Sequence, residues 1–270
     1  MQLTDSGFTH RNPQATSNLF IPIGLVPTVT REESVANLLS NLRLDIEWTT
    51  ECLPHDKEAI ICGSAPSITN FIETLRNRRR DGSIIFACNS AAMYLSEYSL
   101  SSDYQVILDP SEDAISDFHV GAEKHLLASI VSPKIFKKAN NPVLWHPLID
   151  WVSKEVEEIE RDFAYIGGGI TVTMSAICLA YTMGYRRIRL YGADSSYTDG
   201  RHYVNDANPK DRLHVSVEHN GKTYETTYDM KQQVIVFMEL VKQLKQQGCA
   251  IEVIGTGLLP DVFYDANSTT

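Results

Sequence analysis

From Lys57 onward the chain alternates short, largely apolar runs with longer stretches of helical spacing. The apolar runs are bounded by Gly, Asn, Asp or Pro and read as strands buried on both faces. They fall at Ala59–Cys62, Ile84–Cys88, Gln105–Leu108, His125–Val131, Val143–Trp145, Arg187–Tyr191 and Ala250–Ile254. Apolar residues three and four apart predict helices over Ile68–Arg79, Val172–Met183 and Met230–Gln247, with a shorter one at Ala91–Tyr98. Strands that alternate with helices predict an α/β, Rossmann-like fold, a mostly parallel sheet with helices on both faces. Over Leu213–Thr226 two alternating runs meet at Asn220-Gly221, which predicts a β-hairpin inserted before the last of these helices. Upstream, Met1–Asn18 is polar and reads as an arm, Phe20–Val26 is a short apolar stretch, and Arg31–Leu44 carries Val35, Leu38, Leu39 and Leu42 at helical spacing. The expected division is therefore an arm and helical lead-in over 1–45 and one domain over 46–270.

Composition narrows the partners. The 270 residues are 43% hydrophobic and 21% charged, which suits a folded globular chain, and carry a net charge of -10. That sign disfavours nucleic acid and anionic membranes as partners. Arg76, Arg78, Arg79 and Arg80 form a local basic cluster at a helix end, where they complement the dipole as a solvated face. Five cysteines at irregular spacing form no CxxC or Cys/His pattern and read as reduced structural thiols. The polar N-terminus lacks a signal-peptide layout, and no apolar run approaches the ~20 residues of a membrane span. The expected location is the cytoplasm.

Candidate chemistry collects where strands end. After the first strand, Gly63-Ser64-Ala65-Pro66-Ser67 breaks into a helix start, where outward N–H groups and the dipole favour an anion. The same glycine has a second reading, tight strand-to-helix packing. Asn89, in Cys88-Asn89-Ser90, suits a base, ribose or phosphate, or a helix cap. Asp109, in Leu108-Asp109-Pro110, suits Mg²⁺ or a sugar hydroxyl, with Glu112 and Asp113 close behind, or an Asp-Pro turn. Gly167-Gly168-Gly169 and Thr171 precede a helix and form a second anion cradle or a hinge. Asp194 and Ser195 end the next strand. His202, in Asp199-Gly200-Arg201-His202-Tyr203, is the candidate general base. His146 is another strand-end histidine, His214 and His219 belong to the hairpin, and Tyr197, Tyr203 and Trp145 are aromatic candidates for stacking. Neither GxGxxG nor GxxxxGK[ST] occurs, and no hydrolase elbow or HExxH is present.

These pieces, in this order, resemble the MptE-like 6-hydroxymethylpterin diphosphokinase domain family. That family also includes flagellar motility accessory factors, which look like nonulosonic-acid transferases, and many bacterial and phage members. The matching residues are Gly63–Ser67, Leu108-Asp109-Pro110 and Gly167–Gly169 with its Thr-rich helix. They continue through Ile188–Tyr197 into Gly200-Arg201-His202, then Met230–Gln233, Phe237 and Gly255–Pro260. The match spans about Lys57 to Asp261. Ala65 replaces the second glycine usual in the first turn, and its methyl limits how closely a phosphate approaches. A more distant likeness is to small Rossmann-like bacterial sialyltransferases, through the Gly-Pro-Ser turn and Cys88-Asn89.

The resemblance implies a nucleotide-binding domain over 46–270. It implies nucleotide or phosphate contacts from Gly63, Ser64, Ser67, Asn89, Gly167, Gly168, Gly169, Thr171 and Ser195. Catalytic roles fall to His202, Asp109 and Asp194, and Asp109 with Asp113 would hold a metal if Mg²⁺ takes part. The leading expectation is a nucleotide-dependent transferase, a glycosyltransferase using a CMP-linked, nonulosonic- or sialic-acid-like donor. The alternatives are an ATP-dependent, pterin-type pyrophosphokinase and a non-catalytic nucleotide-binding or interaction protein of bacterial or phage origin. The expected partner is a small nucleotide ligand, with no nucleic acid or membrane, and self-association is open.

Overall fold

The structure, a computed structural model, describes residues 23–24, 28–157, 159, 161–204 and 214–268. The expected polar arm and most of the 20–26 apolar stretch lie outside them. The chain begins with α1 (Arg31–Asn41), β1 (Glu47–Trp48) and β2 (His55–Cys62). A 3₁₀ turn (Pro66–Phe71) runs into α2 (Ile72–Arg80), followed by β3 (Ile84–Cys88), α3 (Ala91–Glu97) and β4 (Tyr104–Ile107). A second 3₁₀ turn (Glu112–Asp117) leads to β5 (Lys124–Ala128), α4 (Pro133–Phe136), β6 (Pro142–Pro147), α5 (Asp150–Val156) and β7 (Tyr165–Ile166). Then come α6 (Val172–Thr182), β8 (Tyr185–Tyr191), the hairpin β9 (His214–His219) and β10 (Lys222–Thr227), α7 (Tyr228–Gln246), β11 (Ala250–Ile254) and α8 (Leu258–Ser268).

Nine strands form one sheet in the order β1-β6-β5-β4-β3-β2-β8-β11, with β7 beside β6. Every pairing in it is parallel, as a Rossmann-like fold requires. From β2 the chain steps outward strand by strand to β6, then returns to lay β8 against the other side of β2. The direction of winding therefore reverses between β2 and β8, and such a switch point opens a crevice at the carboxyl ends of the strands.

Alternation along the strands builds the core on both faces. Ala59, Ile61, Phe86 and Cys88 enter a core shared with α6 and α7, while Ile60, Cys62, Ile85 and Ala87 enter another shared with α2 and α3. Burying each isoleucine contributes about 1.5–3 kcal/mol. Thr171 caps α6 by accepting from the Met174 N–H at 3.3 Å, and Thr227 caps α7 in the same way. Asn220 and Gly221, both at positive φ, make the tight turn expected of the hairpin.

The strand expectations each meet an observed strand, with small shifts at the ends. The helix expected over Ile68–Arg79 differs at its start, which is a 3₁₀ turn before α2 begins. The hairpin precedes α7, but α8 follows as a further helix. Its Pro260 sits in the first turn, where a missing N–H costs nothing. The two-residue strands β1 and β7 and the short α4 and α5 carry no readable period.

Three of the four arginines of the basic cluster are ion-paired, and Arg80 stays exposed. Arg78 pairs with Glu58, Arg79 with Asp103 and Glu123, and Arg76 with Glu73. Four of the five thiols are buried and all are free. Burial pushes the Cys62 and Cys178 thiols upward, which makes them poor nucleophiles. Among the described residues no helix is long and apolar enough to cross a membrane.

Candidate functional site

At the switch point two glycines meet back to back. A Cβ on Gly63 would lie 2.3 Å from the Gly192 carbonyl oxygen, and one on Gly192 would lie 2.4 Å from that of Gly63. Both positions therefore need glycine so that the strand ends can close on each other. This is the packing reading of the first glycine turn. Alternate amides of that turn are given to the end of β8 and the loop after it. The Gly63 N–H donates to Tyr191 O, Ala65 to Gly192 O, and Ser67 to the Asp194 carboxylate at 3.0 Å. The Ser67 hydroxyl donates to the other Asp194 oxygen. Asp194 is fully buried and Ser67 nearly so. Burial pushes the Asp194 carboxyl up to about 6, against the lowering effect of the Ser67 bonds. Asp194 thus stands at the start of the 3₁₀ turn as an internal counter-anion, where the sequence suggested room for a ligand's phosphate. In this structure the donors of Ser67 are committed to it.

The second glycine segment converges on the same place. Gly167, Gly168 and Gly169 are buried. A Cβ on Gly168 would meet the Ser175 backbone at 2.5 Å, so this loop packs flush against α6. With Thr171 occupied as the cap, Thr173, two residues on, reaches the crevice. Its hydroxyl lies 3.5 Å from where a Gly63 Cβ would be and bonds the Cys88 thiol at the end of β3. The amino end of α6 therefore opens beside the ends of β2 and β3, with its dipole favouring an anion there.

Two oxygens at the rim lack partners. Asn89 Oδ1 and Ser195 Oγ are buried and make no hydrogen bond. Both residues also hold left-handed backbone, at φ 47° and 50°. Among the described residues they alone combine a buried, unpartnered side-chain atom with a positive φ outside glycine. Backbone strain and unmet polar atoms are both costly, and they coincide where a ligand completes the site. Asn89 follows β3 and Ser195 follows β8, so the two flank the Gly63 turn.

The loop after Ser195 folds back over that turn. The Val204 N–H donates to Ser64 O at 2.9 Å, which leaves Ser64 half-buried under the loop. Within it, the His202 ring stacks on Tyr203 at 3.9 Å and lies 5.9 Å from Tyr197, which stacks on His214 at 4.3 Å. His202 is thus brought to the Gly63 side of the crevice. The hairpin supports this loop from outside: Thr226 Oγ1 donates to Ser195 O, and the Tyr197 N–H donates to Glu225 O.

Asp109 lies elsewhere. It ends β4, two strands from the switch point, and accepts from Thr28 Oγ1 at 2.6 Å and the Ser111 N–H at 2.9 Å. Asp113 is exposed on the 3₁₀ turn that follows. The N-terminal segment closes this half of the edge. The Ile23 N–H donates to Leu148 O and the Gly24 N–H to Gly169 O. Asn37 Nδ2 donates to Pro110 O and Ile130 O, and buried Asn41 Nδ2 to Ser129 O and Val131 O. Among the described residues no three His, Cys, Asp or Glu side chains gather as a metal would require. Asp109 and Asp113 do not form a cage for Mg²⁺. Trp145 and His146 are fully buried in the core, so neither lines the crevice.

Sequence reasoning passed over Thr173, Gly192 and the Val204–Ser64 contact. Thr173 shares the Thr-rich helix start with Thr171, and only the geometry says that Thr171 caps the helix while Thr173 turns to the Cys88 thiol. A family model described as 6-hydroxymethylpterin diphosphokinase MptE-like matches residues 32–200. A search of curated proteins finds no match. Among solved structures, the MAf glycosyltransferase from Magnetospirillum magneticum AMB-1 is similar, with a TM-score of 0.65 at 17% identity over 84% of this chain. The similarity spans 37% of that longer protein. Both names describe enzymes that transfer a group.

Proposed function

The chain belongs to the MptE-like family, and from that premise we propose that it is a nucleotide-dependent glycosyltransferase using a CMP-linked, nonulosonic- or sialic-acid-like donor. The observation that carries the reading is the pair of unpartnered oxygens, Asn89 Oδ1 and Ser195 Oγ, on strained backbone at either side of the switch point. Asn89 and Ser195 hold the nucleoside, with Gly63 and Ser64 forming the floor between them. The donor phosphate sits at the amino end of α6, beside Thr173 and the Gly167–Gly169 loop, where the dipole offsets its charge. His202 takes the proton of the acceptor hydroxyl on a ring nitrogen as that oxygen bonds the anomeric carbon. The bond from that carbon to the phosphate oxygen breaks, its electron pair leaving with CMP. Asp194 holds the turn through Ser67 rather than touching substrate, and Asp109 fastens the distant half of the edge.

Ligand-dependent thermal stabilisation tests the binding half. CMP at ~100 times its dissociation constant should add roughly 2.7 kcal/mol, without Mg²⁺. His202→Ala should keep that stabilisation and lose donor hydrolysis and transfer by about 10²–10⁴-fold. Stabilisation by ATP only with Mg²⁺ would favour the diphosphokinase in the family's description. Binding of CMP with no turnover, unchanged by His202→Ala, would leave a binding protein.

A further inference from the structure

Asn89 is held by an unusual neighbour. Gln105 lies one strand over, on β4, and is completely buried. Its side-chain amide makes three hydrogen bonds, all to main chain. Nε2 donates to Asn89 O at 2.9 Å and to Asp117 O at 2.7 Å, while Oε1 accepts from the His119 N–H at 3.0 Å. The Asn89 N–H donates to Val106 O at 3.1 Å, so both of its backbone groups are tied to β4. The His119 peptide is gripped from its other end as well, since its carbonyl lies 3.0 Å from Nε2 of buried His125.

A buried glutamine in a parallel strand is costly unless its polar atoms are met, and here they are met by main chain: that of Asn89 at the crevice and that of Asp117 and His119 in the loop after β4. Asn89 could relax toward ordinary strand or helical angles if its carbonyl were released. The donor from Gln105 counteracts that relaxation. Asn89's own side chain keeps an unpartnered oxygen, so what the bond stabilises is a conformation rather than a closed internal network.

We propose that Gln105 is a positioning residue for nucleotide binding: its buried amide locks Asn89 in left-handed backbone and so presents Oδ1 to the ligand. The proposal rests on the nucleotide reading of the crevice. It also joins the loop after β4 to the site, because the same amide grips Asp117 and His119.

The test is a double-mutant cycle on CMP affinity, measured by calorimetry on the full chain. Gln105→Met should weaken CMP by about tenfold, the loss expected for one misplaced hydrogen bond. Added to Asn89→Ala it should cost almost nothing more, whereas added to Ser195→Ala it should cost its full factor. That selective coupling is what general loosening of the fold would not produce. Gln105→Glu keeps the volume and the acceptor for the His119 N–H but gives up the amide donors. It should show the same pattern if the methionine variant folds poorly. The proposal is overturned if the Gln105 variants lower Tm and leave the CMP affinity intact, or if their effect multiplies equally with both partners. In those outcomes wild-type binding and its loss in Asn89→Ala still support the crevice. Absence of CMP binding to the wild type would overturn crevice and proposal together.

Discussion

Above β4, β5 and β6 the carboxyl edge of the sheet is closed by the chain itself; above β3, β2 and β8 its rim keeps polar atoms unmet. In the closed half, Thr28 satisfies Asp109, Asn37 and Asn41 rivet α1 to the loops, and Gly24 covers Gly169. In the other half, Asn89 and Ser195 hold strained backbone without using their side-chain oxygens. Unpartnered atoms occur under the cap as well, on Asn41, Ser129 and His146. These are fully buried side chains on ordinary backbone, so they weigh on stability and offer a ligand no approach. An unmet polar atom thus points to a binding site when strain and the rim of a crevice accompany it, and to a core defect when they do not.

The two halves should part most sharply in acid. Burial among Trp48, Phe163 and Tyr165, with Arg161 nearby, pulls the His146 imidazole down to about 3. The unfolded chain takes up that proton below about 6.5, so the contribution is complete near neutrality and drains away as pH falls toward 3. The loss reaches on the order of 3 kcal/mol at pH 4. Asp194 runs the other way. With its carboxyl raised to about 6, its contribution is present below about pH 4 and is lost as pH rises to 6. Denaturant titrations between pH 7 and 4 should show His146→Phe losing less stability than wild type. From pH 6 to 4 the wild type should gain relative to Asp194→Asn. Parallel profiles for wild type and His146→Phe would break the contrast.

A smaller effect should separate structure from binding. Asn41→Leu leaves two buried carbonyls unmet and should cost about 2 kcal/mol in urea denaturation. CMP affinity should stay within about twofold of wild type, since the closed half holds no ligand. A large loss of affinity would place the ligand under the cap instead. The smallest change has the opposite sign. Ser195→Gly relieves left-handed strain and removes an unmet hydroxyl, so it should raise stability by about 1 kcal/mol. It should also weaken CMP by about tenfold. A variant both less stable and equally tight would mean that the strain serves the fold.

Much of this was legible in the sequence, and the remainder is hidden for physical reasons. Strands such as Ile84–Cys88 show as unbroken apolar runs because both faces are covered, and Asn220-Gly221 announces its turn through two positive φ angles. What cannot be read is who pairs with whom. Gly63 and Ser67 advertise a phosphate cradle, but the partners that claim their own amides lie far along the chain, at Tyr191 and at Asp194, 127 residues beyond Ser67. Asp109 looks like a metal ligand until Thr28, 81 residues earlier, is found against it. Gln105 resembles an ordinary strand residue because its importance lies in three distant carbonyl and amide groups. Local letters report backbone chemistry well; they do not report competition for it.

The late arrival of β8 also has a consequence for synthesis. β2 pairs with β3 within thirty-odd residues, yet its other edge waits for a strand more than a hundred residues downstream. Until the ribosome has released that strand, the apolar run Ala59–Cys62 presents an unpaired edge, an invitation to intermolecular pairing. A chain stopped between α5 and α6 would therefore hold most strands of the sheet, lack its crevice, and be the form most in need of a chaperone.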